Sequence, residues 1–360
     1  MKFLCHVGAF FLVLASTSLS AQEASSGADL RATLTAQLMG SDQLIEKPRS
    51  GSPVIAGSRA IAYPTLKFSE HWFATGAFQL VTRPYYPSDF STEGYGAKGS
   101  VLQGTLNYTR VFQRGSLLVR GGEMSSAFGA FLLRYDDSDN ALVDLPPQYG
   151  YYYAPVSFLP VAGAQVDATL GKWDGRLQFA NSSPANPRSI FAHDQYGNWA
   201  AGGGYTIRQG FRVGFSGYRG PYLDRKYAYY FPGESKPSVL PAHALGIDAN
   251  WAHRHTSAYV EVQRFIMPYT LFPDFRESAG YAELRQVLSP RWAVAGRYSL
   301  TSSNVSSKMN YVETTAAFRP NRFQLLKCSY ELRHASSGDN QNNNIFAVQF
   351  ITTFHKSAAL

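Results

Sequence analysis

The chain has 360 residues, 14% of them aromatic, with 31 glycines and 33 basic against 25 acidic side chains, a formal charge of +8. That length fits one large domain or two ordinary ones. The bases are scattered, without a basic run or a recognition helix, which argues against a nucleic-acid partner.

The first residues read MKFLCHVGAFFLVLASTSLSAQ. Lys2, an apolar core from Val7 to Ala15 and the small residues Ser18, Ser20 and Ala21 predict a secretory signal peptide over 1–20. The apolar run is about half of the roughly 20 residues that a spanning helix needs, and no later stretch approaches that length. Residues 21–29 read as a short N-terminal segment. Loss of the signal takes Cys5 with it and leaves Cys328 alone, so no intrachain disulfide is expected. It also leaves 32 basic against 25 acidic residues, or +7.

From residue 30 to 354 the pattern is period two. In GRLQFANSS, Leu177 and Phe179 share one face and Arg176 and Gln178 the other. GFRVGFSGY sets Phe211, Val213 and Phe215 against Arg212, Gly214 and Ser216; HALGIDANWA sets Leu245, Ile247 and Trp251 against Gly246, Asp248 and Asn250. RWAVAGRYSL sets Trp292, Val294, Tyr298 and Leu300 against Ala293, Ala295, Arg297 and Ser299. Alternation over about ten residues is the signature of strands. Short polar breaks fall at 69–72, 112–115, 171–175, 207–210, 252–256, 288–291 and 319–322. Longer breaks fall between them, at 40–58, 84–99, 125–160, 182–197, 220–241, 267–277, 302–308 and 335–343. Strict alternation of short and long gives sixteen strands with both chain ends on the short-turn side. A soluble β-sandwich also alternates, but it gives no reason for that loop pattern. An all-β, transmembrane antiparallel β-barrel does: short periplasmic turns, long external loops and an even strand number, closed because lipid offers no partner to a free sheet edge.

The last strand, NIFAVQFITTF, puts Phe346, Val348, Phe350 and Phe354 on one face, predicted to meet lipid. Here the chain resembles outer-membrane porins, whose C-terminal strand ends on an aromatic residue read by the insertion machinery. His355 to Leu360 depart from that pattern and are expected to be a C-terminal tail. The stretch RGGEMSSAFGAFLLRYDDSDNALVDLPPQYGYYYAPVSFLP ends in the longest break, the third external loop by this count. In porins that loop folds into the barrel and narrows it. The stretch is also similar to a segment of the phosphate-selective porins of the O and P type, but the arginine ladder of that family is missing, so phosphate selectivity is not implied. The resemblance implies an outer-membrane location and a homotrimer.

Loop 125–160 is the candidate constriction on its own composition as well. Loops beyond about 12–15 residues are usually functional or disordered, and this one is rich in Phe, Leu and Tyr. Folding inward would bury Phe128, Phe131 and Leu132. Arg134, Asp136, Asp137 and Asp139 are the candidate edge of the opening; the alternative is that they hold the loop or decorate its outside. The aromatic stretches 148–155 and 226–234 read as interfacial belt or loop packing rather than sugar platforms. Strand phase places Lys67, Arg176, Arg212, Arg285, Arg297 and Lys327 in the lumen, with Asp167, Asp248, Glu261, Glu283, Glu313 and Glu331. A lipid-facing Arg or Lys at mid-bilayer would cost about 2–4 kcal/mol. These twelve read either as an electrostatic lining or as a lattice of ion pairs.

An outer-membrane phospholipase would need a serine, a histidine and an orienting group at the lipid face. His243 and His253 have no such company. AHRH at 252–255 lacks the further ligands of a metal site, and His193 and Asp194 fall in a long loop. An adhesin-like barrel with active external loops is a further alternative, as is a plugged channel for hydrophobic compounds, although 22–30 is too short for a plug. The expectation is a passive pore for small hydrophilic solutes or ions, weakly charge selective, with outer-membrane lipid as its surroundings and neither cofactor, metal nor catalysis.

Overall fold

The computed structural model describes residues 26–42, 53–83, 85, 96–149, 160–181, 197–220, 241–305, 308–335 and 343–359. The predicted signal peptide, the 226–234 stretch, His193, Asp194 and the end of the 148–155 cluster lie outside the described residues. The first eight strands are β1 (Gly27–Ser41), β2 (Val54–Lys67), β3 (Trp72–Arg83), β4 (Gly96–Phe112), β5 (Gly115–Ser125), β6 (Pro160–Leu170), β7 (Trp173–Ala180) and β8 (Asn198–Arg208). The other eight are β9 (Phe211–Gly220), β10 (Ala242–His253), β11 (Thr256–Met267), β12 (Phe275–Val287), β13 (Trp292–Ser303), β14 (Met309–Asn321), β15 (Gln324–Ala335) and β16 (Asn343–Ala359). Each pairs antiparallel with its sequence neighbours, and β1 pairs with β16 to close the barrel. The short and long breaks read from the sequence all fall between these strands. No helix among the described residues is long and apolar enough to cross a membrane.

Closure runs from Gly27 opposite Ala359 to Ser41 opposite Ile345. The expected tail is therefore strand as far as Ala359, and β1 starts within the segment expected to precede the barrel. Polar residues hid this extension. The Asp29 carboxylate accepts hydrogen bonds from Ser357 Oγ at 2.6 Å and lies 2.7 Å from His355 Nε2, so the added turn of ladder is held by side chains rather than by a greasy face.

The alternation is inside-out relative to a soluble protein. Phe215, Leu245 and Ile247 are 63%, 69% and 71% exposed on the outer face, while Thr33, Gln37, Arg59, Asp248 and Glu261 are buried within. An outward apolar belt with a polar interior is what a sheet surrounded by hydrocarbon requires. Trp72, Trp173, Trp251 and Trp292 stand beside the short turns and Trp199 at the opposite rim. Four of them pack on a cross-strand ring: Trp173 on Tyr205 at 4.6 Å, Trp292 on Phe318 at 4.7 Å, Trp199 on Phe179 at 4.7 Å and Trp72 on Tyr108 at 5.2 Å. Amphipathic rings at both rims suit the two membrane–water interfaces.

Candidate functional site: a loop clamped across the lumen

After β5 the chain turns into the barrel. Residues 126–149 lie against the inward faces of the strands, with short 3-10 turns at Phe131–Arg134 and Pro147–Tyr149. Phe128, Phe131, Leu142 and Tyr149 are fully buried. Phe131, Tyr149 and Leu145 pack with Val81 of β3, Tyr85 and Tyr281 of β12, so one apolar cluster links strands on nearly opposite walls. Phe128 packs instead against Ala200, Tyr218, Ala244 and Phe265 of β8 to β11. Gly129 has a φ of +82°, and a β-carbon there would sit 2.1 Å from the Tyr149 hydroxyl. Glycine lets the chain turn under that ring.

Polar bonds fasten the loop around the wall. Ala127 N donates to Gln178 Oε1 of β7 at 2.9 Å, Gly129 N donates to Ser216 Oγ of β9 at 3.2 Å, and Arg176 of β7 donates to the Gly129 carbonyl. Glu261 of β11 accepts from Ala130 N at 3.0 Å and from the Tyr149 hydroxyl at 2.5 Å. Arg134 pairs with Glu283 of β12 at 2.5 Å, donates to Tyr281 Oη at 3.0 Å and lies 3.8 Å over the Tyr259 ring. Burial opposes its charge, but the Tyr281 phenol and the Glu283 carboxylate outweigh burial and raise its affinity for the proton.

The acidic turn that follows is anchored on β1 and β2. Asp136 accepts from Thr33 Oγ1 at 3.0 Å, from Tyr63 Oη at 2.6 Å and from Ser138 N at 2.8 Å. Burial works to raise its pKa, but the bonds from Tyr63 and Ser138 prevail and hold it below the ordinary carboxylate value. Asp137 accepts from Thr35, Tyr85 and Arg59, at 2.8, 2.8 and 3.0 Å. Lys327 of β15, fully buried, gives its three protons to the carbonyls of Asp137, Asn140 and Leu142 at 2.6, 2.8 and 3.0 Å. Glu313 of β14 accepts from Val143 N and Asp144 N at 2.9 and 3.1 Å, and Arg297 of β13 donates to the Asp144 carbonyl at 2.8 Å. The Asp144 carboxylate meets Arg333 of β15 at 2.9 Å. Burial raises its pKa against the pull of Arg333, and nearby Glu313 adds to the rise.

The four loop residues proposed from sequence as an edge thus have different places. Asp136 and Asp137 are buried anchors, and Arg134 is a nearly buried one. Asp139 alone among the four is open to solvent, paired with Arg31 at 2.9 Å. Leu132 has no described side chain.

The twelve residues assigned by phase all stand on the inward face. Arg212 spans Asp174 at 2.6 Å and Asp248 at 2.8 Å; Asp167 meets Arg120 at 2.7 Å; Arg297 meets Glu313 at 2.7 Å; Glu331 accepts from Arg333. Lys67 is exposed at the short-turn end of β2 without a side-chain hydrogen bond among the described residues, and Arg285 lies beneath the loop. The prevailing arrangement is therefore a lattice of pairs, some within the wall and others tying the loop to it. Sequence reading missed Arg31, Arg59, Arg120, Arg333, Tyr63 and Tyr85. The inward phase of Arg59, Ile61 and Tyr63 was present as a signal, in a strand whose alternation is weakened by Pro64.

One arc of wall stays turned toward the lumen. In β4 to β6, Gln103 donates to Thr75, Thr105 donates to Asn107, Gln165 donates to Asp167 and Arg120 pairs with Asp167. These side chains satisfy one another along the wall. On β8 the clearance is made by glycine: a β-carbon at Gly204 would sit 2.3 Å from the Arg212 Cζ, and one at Gly202 would sit 2.7 Å from Arg176 Nε. The two guanidinium groups lie flat where a larger residue would push them inward. Gly204→Val is expected to displace Arg212 from both carboxylates and lower unit conductance while the barrel still folds. An unchanged conductance step would show that Arg212 does not border the passage.

A serine, a histidine and an aspartate do meet at the short-turn rim, but not as a catalytic relay. The same His355 Nε2 faces Asp29 at 2.7 Å and Ser357 Oγ at 3.4 Å, while Ser357 donates its proton to Asp29. Relay would need the carboxylate on one ring nitrogen and the hydroxyl on the other.

No family model and no curated protein matches the sequence. Solved structures do match in fold. An anion-selective porin from Comamonas acidovorans is similar with a TM-score of 0.62 at 11% identity, over 92% of this chain and 100% of that one. The outer membrane channel DcaP of Acinetobacter baumannii gives 0.59 at 10% identity, over 93% and 99%. OmpT, an outer membrane protein of Vibrio cholerae, in its in-vitro folded trimer form, gives 0.57 at 9% identity, over 92% and 100%. At such identities the likeness is one of architecture: the chain has the closed sixteen-strand barrel fold of outer-membrane channels.

Proposed function

We propose that the protein is an outer-membrane porin that lets small hydrophilic solutes or ions diffuse passively, with weak charge selectivity and without cofactor or chemistry. The observation that carries this is the asymmetry of the lumen. The inserted loop is fastened to β1 to β3, β7, β9 and β11 to β15, while the polar side chains on the inward face of β4 to β6, Gln103, Thr105, Asn107, Arg120, Gln165 and Asp167, bond within the wall instead. A sixteen-strand barrel is wide enough for an aqueous channel, and a loop fastened to the other strands narrows it without sealing it beside β4 to β6. Near balance of paired charges favours weak selectivity. The porin reading brings with it the outer membrane, a signal peptide at the N-terminus, short turns in the periplasm and a homotrimer, the last supported by the trimer form of the Vibrio cholerae neighbour.

A specific observation favours a second reading. The Phe131, Tyr149, Tyr281 and Val81 cluster bridges opposite walls, as a plug would in a barrel whose external loops do the binding. Swelling of proteoliposomes in isotonic sugars of increasing size separates the two. The porin reading predicts swelling that falls steeply between mono- and trisaccharides; vesicles that stay inert in every sugar would favour the plug.

A further inference from the structure

Almost every lumen arginine described so far is committed. Arg31, Arg59, Arg120, Arg134, Arg212, Arg297 and Arg333 each meet a carboxylate, and Arg176 a carbonyl. Arg285 of β12 and Arg319 of β14 are different: neither guanidinium makes a hydrogen bond or ion pair among the described residues. Both line one cavity of about 60 Å³ under the loop, where Ser138 and Asn140 form the roof and Ala295 and Ala317 leave room on the wall. Lys327 lines it too, with its three protons already given to carbonyls. Four of the lining residues are basic, Arg291 being the fourth, and none is acidic. The nearest loop acids are taken: Asp139 by Arg31, Asp137 by Arg59 and Asp136 by Tyr63 and Thr33.

We infer that this cavity is a binding site for a small oxyanion, held between the Arg285 and Arg319 guanidinium groups beneath the loop. Two guanidinium groups in one crevice whose lining holds no acidic side chain repel one another. An anion that accepts from both removes the repulsion, and the planar donor forks fit tetrahedral or planar oxygen sets. Room is sufficient: a cavity needs only ~10–15 Å³ to admit a water molecule. At the roof the Ser138 hydroxyl already donates to Asp136, and Asn140 keeps one amide proton beyond the one it gives to the Asp144 carbonyl. The bound anion would touch the same turn of loop that Lys327 holds, so occupancy tightens the loop against β12 to β15. The site stands whether or not the barrel conducts.

Titration calorimetry of the folded, detergent-solubilised protein with sodium sulfate tests it, since sulfate keeps its charge across the accessible pH range. Saturable binding of one sulfate per chain is expected. Arg285→Gln and Arg319→Gln are each expected to weaken it about tenfold, the scale of a lost charge-assisted hydrogen bond. Ala295→Leu, which keeps both arginines and fills the space, is expected to abolish it. Arg322→Gln, an exposed turn residue outside the lining, is expected to leave it unchanged. No saturable binding would overturn the site, as would equal weakening by Arg322→Gln, which would mean a diffuse field. Retained binding in Ala295→Leu would place the anion elsewhere and equally overturn it.

Discussion

Replacing residues 127–148 with a short glycine–serine link is expected to raise unit conductance several-fold and to turn the pore toward anions. The first effect follows from geometry. The loop fills the middle of a barrel that is otherwise wide enough for a water-filled channel, and the sixteen-strand ladder does not depend on it. The second follows from charge. The removed segment carries Arg134 against Asp136, Asp137, Asp139 and Asp144, one base and four acids, so its loss adds three positive charges to the lumen. Arg31, Arg59, Lys327 and Arg333 would then lose their loop partners, although Arg59 keeps Gln79 and Arg333 keeps Glu331. Single-channel steps and reversal potentials in a salt gradient report both effects at once. A wider pore with unshifted selectivity would mean that the loop acids are neutralised where they stand and contribute no field.

The second large effect is expected at Lys327. Changing it to methionine keeps the length of the side chain and removes the donor from three buried carbonyls at 2.6 to 3.0 Å. Breaking a buried charged contact from one side costs about 3–5 kcal/mol, because the partner groups stay buried and unpaired. The cost falls on loop docking, not on the barrel. Lys327→Met is therefore expected to expose the turn around 137–142 to limited proteolysis and to make conductance noisy, with the strand signal in circular dichroism unchanged. Lys67→Met, at an exposed lysine without a side-chain hydrogen bond among the described residues, is the matched control and is expected to do neither. Cleavage of both variants alike, or of neither, would show that the carbonyl cage does not hold the loop.

Most of the barrel was legible in the sequence for one physical reason. A strand with lipid on one side and water on the other must alternate, and a closed ladder must pair every strand, so phase and loop length carry the topology. Leu177, Phe215, Ile247 and Tyr298 all point outward as that logic requires. The logic fails at the rims, where no lipid enforces it. His355, Lys356 and Ser357 looked like the start of a tail, yet they extend β16 along β1. The candidate site was legible only in part. Asp136 and Asp137 could be singled out as charged residues in an apolar loop, but whether they edge a pore or anchor a loop depends on Thr33, Thr35, Arg59 and Tyr63, which lie more than 70 residues away in sequence. No local pattern encodes such a meeting. Tyrosines were missed because a phenol in the lumen resembles one in an interfacial belt until its partner is known.

Conductance of the full chain in a planar bilayer tests the central claim most directly. The account predicts discrete, long-lived open steps that carry both ions of the salt with only a small reversal potential in a gradient. Protein that is folded and inserted, and yet electrically silent, would contradict it and leave the barrel as a closed scaffold for its long loops.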